Sequence, residues 1–191
     1  MKKLLVLPFQ FPAPASNHQG ALRCPICGSV FMSGKVAASA GEKLTDRMMG
    51  WLQQYFDGMA MRGEKLPENL RPGGIWAQPS ESGLEFLAGL GRAAQADGVL
   101  FGFIFRYEDR QGDAFAVARP ASVAFDLHLM DARNGEIIWK DAWDETQKAL
   151  SDDLFAVDLF IQRRGKWISA DEMAMAGLEA MLMQIWAHDL E

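Results

Sequence analysis

The feature that most restricts the fold of this 191-residue chain is the alternation of apolar side chains in its second half. Large apolar residues occupy every second position of two segments, a period of two that predicts half-buried β-strands. They are Val99, Phe101, Phe103, Phe105 and Tyr107 in the first segment, and Val123, Phe125, Leu127 and Leu129 in the second, with Asp126 and His128 on the opposite side. Asn134–Gly135 then predicts a tight turn. The returning strand has Ile137, Trp139 and Trp143 on one side. An antiparallel meander with strands near 99–107, 121–131 and 136–144 is therefore expected.

The rest of the chain alternates helix and strand signals. A first strand is expected at 4–9 and a short one at 74–78. Three Ser-x-x-Glu capping boxes, beginning at Ser39, Ser82 and Ser169, predict three helix starts. The resulting order, β-α-β-α-β-β-β-α, predicts an α+β fold with a single sheet and helices packed on one face. The length favours one domain over 1–191, with a long loop at about 12–38.

That loop contains the two cysteines of the chain, Cys24 and Cys27, in the segment RCPICG. A structural zinc site needs about four nitrogen or sulfur ligands. The three histidines are His18, His128 and His188, and each is interpreted as a surface or edge residue with a satisfied hydrogen bond. No helix start follows Cys27 to lower a thiol pKa for redox chemistry. We therefore expect no metal, no cofactor and no catalytic residue, and either a structural Cys24–Cys27 disulfide or two plain thiols.

Charge and hydropathy exclude two further classes of function. The net charge is −6, and no stripe of lysine and arginine is present to bind a phosphate backbone, so no nucleic-acid partner is expected. No apolar run reaches the roughly 20 residues that cross a bilayer. The start of the chain imitates a secretory signal, but Pro8 and Gln10 interrupt its apolar run. It is interpreted as a strand.

Several short motifs resemble those of bacterial envelope lipoproteins built like the amino-terminal domain of TolB, the penicillin-binding-protein activator LpoB and the curli-export protein CsgG. The motifs are Leu7–Pro8–Phe9, Ala96–Asp97 before a strand that contains Gly102, Asp131 to Gly135, and a strand with Trp139. The resemblance covers 3–9 and 80–147. It implies work through protein contacts at a periplasmic or outer-membrane-tethered location, with no catalytic residues. A leader and lipid anchor are expected to lie outside this sequence, and a cytoplasmic location is the alternative.

The function expected from these observations is that of a non-enzymatic cell-envelope domain, a scaffold or regulatory protein-interaction module. Its partner would be another envelope protein or a second copy of the chain. Two alternatives stay open: a thiol- or metal-dependent enzyme or sensor centred on Cys24 and Cys27, and a small-ligand-binding protein.

The expected interaction surface surrounds the end of the meander and the segment after it. Large aromatic residues lie there beside two arginines, in a stretch whose period is neither 2 nor 3.6, which is typical of interface hot spots. The residues are Trp143, Phe155, Phe160, Arg163, Arg164 and Trp167. The alternative is that this segment folds back over the sheet as a lid.

Overall fold

The computed structural model of the protein describes residues 3–12, 20–55, 59–63, 81–113, 116–148 and 166–189. The strands are β1 (Leu4–Val6), β2 (Ala21–Arg23), β3 (Val30–Met32), β4 (Ala60–Arg62), β5 (Gly98–Glu108), β6 (Gln111–Gly112), β7 (Val117–Arg119), β8 (Ser122–Asp131) and β9 (Ile137–Thr146). The helices are α1 (Ala40–Tyr55), α2 (Glu81–Ala93) and α3 (Ala170–Asp189). None of these helices is long and apolar enough to span a membrane.

A five-stranded mixed sheet with the order β4-β1-β5-β8-β9 forms the centre of the fold. Its strands β5, β8 and β9 are the predicted antiparallel meander, and Gly135 has a φ of +76° in the predicted turn. β1 runs parallel to both β4 and β5. The α+β class is therefore confirmed. The strand expected at 74–78 lies outside the described residues, and the sequence analysis did not predict β4.

One face of the sheet, called the helix face here, packs against α1 and α3. Its buried strand residues include Leu100, Ile104, Val123, Phe125, Leu127 and Leu129. The helices contribute Leu44 and Met48 from α1, and Leu178 and Leu182 from α3. The predicted capping box before α3 is present, since Glu172 N–H donates to Ser169 Oγ over 3.2 Å and Ser169 N–H donates to Glu172 Oε2 over 2.7 Å.

The opposite face of the sheet, called the hairpin face here, is covered by α2 and by the antiparallel β2–β3 hairpin. Its buried residues include Val99, Phe101, Phe103 and Phe105 from β5, Leu87 from α2 and Phe31 from the hairpin. Phe31 stacks on Phe105 with ring centroids 4.0 Å apart. The expectation that the helices pack on one face is thus wrong for α2. Every residue of β8 is buried, so the meander needs cover on both sides.

Two β-bulges change which side chains share a face. A bulge between Ile104 and Arg106 of β5 inserts one extra residue, so that Phe105 lies on the hairpin face and Tyr107 on the helix face. A second irregularity, between Leu129 and Met130 of β8, places Ile137 with the hairpin face, whereas Trp139 and Trp143 pack with the helix face. The sequence analysis placed the alternating residues of β5 on one side of the sheet, and likewise those of β9. An alternation of period two cannot show where an extra residue is inserted.

Arg106 fastens the hairpin to the meander from its buried position on β5. Its Nη1 donates to the carbonyl oxygen of Met32 over 2.6 Å, and its Nε donates to Ser122 Oγ over 2.6 Å. A further bond reaches Asp144 on β9. The segment expected as a loop at 12–38 therefore contains an ordered hairpin that is tied to the sheet. That the whole chain forms a single domain stays a prediction.

Candidate functional site

The turn of the β2–β3 hairpin presents two thiols toward the sheet. Cys24 directly follows β2, and the backbone N–H groups of Ile26 and Cys27 point at its Sγ over 3.4 and 3.5 Å. Gly28 N–H donates to the Cys24 carbonyl over 3.1 Å. Gly28 has a φ of +75°, in the left-handed region that glycine adopts without strain. The turn therefore holds Cys24 and Cys27 on its inner side.

Strand β8 supplies two ionisable groups beneath this turn. Asp126 and His128 are two residues apart, so both point to the hairpin face, and both are 0% exposed. Asp126 Oδ1 accepts a hydrogen bond from Phe103 N–H over 2.9 Å. The imidazole of His128 stacks on the Phe101 ring with centroids 5.3 Å apart. Both side chains are thus held in place by β5.

The thiols and these two groups form one cluster. One ligand atom from each of Cys24, Cys27, Asp126 and His128 lies within 4.8 Å of the others. Cys24 Sγ is 3.7 Å from His128 Nε2, and His128 Nδ1 is 3.7 Å from Asp126 Oδ1. The interpretation of His128 as a surface or edge residue with a satisfied hydrogen bond is wrong. His128 is fully buried among groups that could hold a metal ion.

Two polar atoms of the cluster lack a hydrogen-bond partner among the described residues. They are Asp126 Oδ2 and His128 Nδ1, and both are shielded from solvent. The great majority of buried polar side-chain atoms in proteins have a partner, and leaving one without costs about 1–3 kcal/mol. A buried carboxylate oxygen without a partner, next to two thiols and an imidazole, indicates a site that a bound group would complete.

Burial controls the protonation of the cluster. It raises the pKa of Asp126 to about 7. Burial and the positive charge of Lys140 lower the pKa of His128 to about 4. Burial, followed by the negative charge of Asp126 and a hydrogen bond to its carboxyl group, raises the pKa of the Cys24 thiol well above its usual range, although the N–H groups of Cys27 and Ile26 oppose the rise. The cluster as it stands therefore favours a neutral imidazole and a protonated Cys24.

This protonation state argues against a catalytic thiol. Cys24 lies next to His128, and His128 lies next to Asp126, which is the order of a nucleophilic thiol, its base and the carboxylate that orients the base. A nucleophilic cysteine, however, needs a lowered pKa and access to a substrate. Cys24 is 2% exposed and its pKa is raised.

Cys27 is the more accessible member of the cluster. It is half-buried and its Sγ donates to Ser29 Oγ over 3.2 Å. It also lines an open cleft of about 410 Å³, formed by Ile26, Cys27, Ile137, Ile138, Trp139 and Lys140. Both cysteines are free thiols in the structure, and a Cys24–Cys27 disulfide stays a prediction.

The predicted interaction residues are only partly described. Trp143 is half-buried against α3, where a Cβ added at Gly177 would lie 2.5 Å from the indole ring. Trp167 is also half-buried, and its carbonyl accepts a hydrogen bond from Arg110 Nη1 over 3.0 Å. The remaining members lie outside the described residues: Phe155, Phe160, Arg163 and Arg164. Their role in binding stays a prediction.

The sequence analysis missed the cluster because its members are about a hundred residues apart. One signal was available. Asp126 and His128 lie on one side of a strand whose other residues from Val123 to Met130 are all apolar. Ionisable side chains at such positions are rarely buried unless they have a partner. The proximity of the CxxC turn to that strand is visible only in the folded chain.

No protein-family model and no curated protein matches the sequence. Among solved structures, the PelC dodecamer from Paraburkholderia phytofirmans matches with a TM-score of 0.51 and 12% identity over 95% of this chain and 86% of that one. The hypothetical protein CT253 from Chlamydia trachomatis matches with a TM-score of 0.50 and 10% identity over 97% and 96%. The LpoB carboxy-terminal domain from Salmonella enterica is also found, with a TM-score of 0.38 and 14% identity over 76% and 84%. The likeness to PelC and CT253 shows a shared α+β fold, and the solved structures found include LpoB, which the sequence resemblance names.

Proposed function

We propose that the protein is a non-enzymatic module of the bacterial cell envelope that works through protein–protein contacts, as a scaffold or regulatory partner. Its fold is shared with PelC, whose solved structure is a dodecamer. The sequence resemblance to TolB, LpoB and CsgG supports a periplasmic or outer-membrane-tethered location. The buried, protonated state of Cys24 supports a function other than catalysis.

The observation that carries the proposal is the position of β9. This ten-residue strand lies at the end of the main sheet and pairs with β8 on one side, and among the described strands none pairs with its other side. A strand edge of this kind offers unpaired N–H and C=O groups to another chain. We infer that a partner adds a strand there.

The hydrogen bonds and charges of β9 make such pairing selective. Ala142 N–H donates to the carboxylate of its own neighbour Asp141 over 2.8 Å, so it is directed away from β8. Charged side chains along the strand, among them Lys140 and Asp144, discourage pairing with an arbitrary strand. The partner therefore needs a strand whose charges complement these. Trp167 and the predicted residues from Phe155 to Arg164 follow β9 in the chain, and the proposal includes them in the same surface.

A proline at position 142 tests this assignment. Ala142→Pro removes an N–H group that the β8–β9 ladder does not use, so it blocks the outer edge with little effect on the sheet. Ala142→Thr is the matched control, because it keeps the N–H and favours a strand. The mass in solution is measured by light scattering. If the wild-type protein and the threonine variant form an oligomer, the proline variant is expected to be a monomer.

If the wild-type protein is a monomer, each variant is used to capture proteins from envelope extracts. The threonine variant is expected to retain a specific partner that the proline variant loses. Equal association by the two variants, or no association by either, contradicts the proposal. Circular dichroism confirms that both variants are folded.

A further inference from the structure

We propose that Cys24, Cys27, Asp126 and His128 form a structural zinc site that fastens the β2–β3 hairpin to the main sheet. This inference is independent of the interaction proposed for β9, since its readout is metal binding and hairpin order.

The donor set and its spacing fit zinc. Structural zinc sites are tetrahedral, with sulfur ligands at about 2.3 Å and nitrogen or oxygen ligands at about 2.0–2.2 Å. A tetrahedral angle between such bonds separates a sulfur and a nitrogen ligand by about 3.6 Å. Cys24 Sγ and His128 Nε2 are 3.7 Å apart, and the four ligand atoms all lie within 4.8 Å of one another. A contraction of about 1 Å closes the site around an ion.

The unpartnered atoms are the independent observation that a ligand belongs here. No described residue forms a hydrogen bond with Asp126 Oδ2 or His128 Nδ1, although both side chains are 0% exposed. A divalent cation bound by Asp126 Oδ2 and His128 Nε2 would compensate the burial of the carboxylate. The imidazole proton would then lie on Nδ1, which is 3.7 Å from Asp126 Oδ1. Apolar residues at positions 126 and 128 would avoid the cost of burial altogether, so the pair has a use beyond packing.

The surroundings of the ligands are those of a metal site. The N–H groups of Ile26 and Cys27 point at Cys24 Sγ, where they favour the thiolate that zinc requires. Phe103 N–H orients the Asp126 carboxylate through Oδ1, as supporting hydrogen bonds do around metal ligands. Lys140 pairs with His128 across the β8–β9 ladder. Two thiolates and a carboxylate leave one negative charge on a zinc complex, which the ammonium group of Lys140 offsets.

The same features favour zinc over other ions and a structural over a catalytic role. Calcium and magnesium select oxygen ligands, whereas two sulfurs with one nitrogen select zinc or a soft transition metal. Four protein ligands leave no open position for water or substrate. Cys24 and Cys27 come from the hairpin, and Asp126 and His128 come from β8, so the ion would join the two elements.

The first test uses the wild-type chain, purified with a reductant. Its zinc content is measured by mass spectrometry, and the metal-free protein is titrated with Co²⁺. We expect one equivalent of Co²⁺ to bind, with a thiolate-to-metal charge-transfer band and the visible bands of tetrahedral cobalt, and Zn²⁺ to displace it. If the Co²⁺ titration of the wild-type protein shows no charge-transfer band, the proposal is wrong. This outcome does not depend on the folding of any variant.

The second test uses substitutions. Cys27→Ser and His128→Gln are each expected to weaken Co²⁺ binding at least about 100-fold, because each removes a ligand. Asp141→Asn, which removes a carboxylate of β9 outside the cluster, is the matched control and is expected to bind as the wild type does. If Cys27→Ser and His128→Gln are folded and bind Co²⁺ as tightly as the wild type does, the assignment of the site is wrong.

The structural role has a readout of its own. Hydrogen exchange is compared between metal-free and zinc-loaded wild-type protein. Zinc is expected to slow exchange at 20–34 and at β8, and to leave α1 and α3 unchanged. Zinc that binds without protecting the hairpin overturns the fastening role.

Discussion

Both faces of the central sheet bury aromatic and aliphatic side chains, more of them on the helix face than on the hairpin face, but the two faces treat polar groups differently. On the helix face, Thr45 Oγ1 accepts from Phe9 N–H and donates to the Gly41 carbonyl, and Tyr107 donates to Asp171. Among the described residues on that side, Trp143 Nε1 and, beside the start of α3, Arg110 Nε have no hydrogen-bond partner. On the hairpin face, two adjacent ionisable groups, Asp126 and His128, are incompletely bonded.

The difference indicates a division of labour within one small sheet. The helix face can stabilise the fold without any ligand, because the side chains that it buries are mostly apolar. The hairpin face carries the cost of burying Asp126 and His128, which a bound cation would offset. A local defect is tolerated there because long apolar strands and two long helices on the other side hold the sheet together.

The largest expected effect comes from truncating an aromatic residue on the helix face. Phe125 is 0% exposed and packs edge-on against Phe9 at 6.0 Å. Phe125→Ala is expected to lower the free energy of unfolding by about 3–5 kcal/mol through lost burial and a cavity. Phe31→Ala, on the hairpin, is the matched variant. Phe31→Ala is expected to lower the free energy of unfolding by less and mainly to increase local opening of the β2–β3 hairpin.

Urea unfolding measures the global effect, and hydrogen exchange measures the local one. If Phe31→Ala lowers the global free energy as much as Phe125→Ala does, the hairpin and the sheet unfold as one unit, and the proposed contrast between the two faces is wrong.

The next effect should have the opposite sign. Asp126→Asn keeps an acceptor for Phe103 N–H but removes a buried charge. In metal-free protein at pH 8 it is expected to raise the free energy of unfolding by about 1–3 kcal/mol. The pKa of Asp126 rises from its ordinary 3.8 to about 7 in the folded chain. The folded state therefore holds an extra proton between these values, and the stability contribution of Asp126 falls as the pH rises through that window.

The pH profile sharpens this prediction. The pKa of His128 is lowered from 6.5 to about 4, so its contribution to stability grows as the pH rises through that window. In the metal-free wild type, the contributions of Asp126 and His128 to stability change in opposite directions as the pH rises. In Asp126→Asn only the contribution of His128 remains, so the free energy of unfolding should increase with pH. Urea unfolding from pH 4 to 8 in the presence of a chelator measures both profiles. If the free energy of unfolding depends on pH in the same way in both proteins, burial does not raise the pKa of Asp126.

The smallest effect is expected at the start of α3, on the helix face. Ser169→Ala removes an N-cap hydroxyl and is expected to cost about 1 kcal/mol. The pKa of Glu172 is lowered by the N–H and the hydroxyl of Ser169, so this part of the stability is present above the ordinary pKa of 4.5 and is lost as the pH falls below it. Ser39→Ala, before α1, is the comparison variant. Thermal unfolding at pH 7 and pH 3 measures the difference, and a Ser169→Ala cost that does not shrink at pH 3 contradicts the pairing with Glu172.

Local periodicity and turn chemistry decided the parts of the fold that depend on neighbours in the chain. The alternation around Phe101 and Phe125 predicted β5 and β8, Asn134–Gly135 predicted the turn before β9, and Ser169 with Glu172 predicted the start of α3. Each of these signals acts over a few residues, so the amino-acid sequence alone was sufficient.

Tertiary structure decided what depends on distant residues. The sequence did not show that α2 and the hairpin cover the second face of the sheet, that β4 adds to the edge beside β1, or that a bulge moves Tyr107 to the helix face. Nor could it place Cys24 beside His128. A hairpin whose own strands are three residues long takes its position from what it packs against, here Phe105 and Arg106 of β5. Only that packing, across about a hundred residues of chain, brings two unremarkable thiols onto a buried aspartate and histidine.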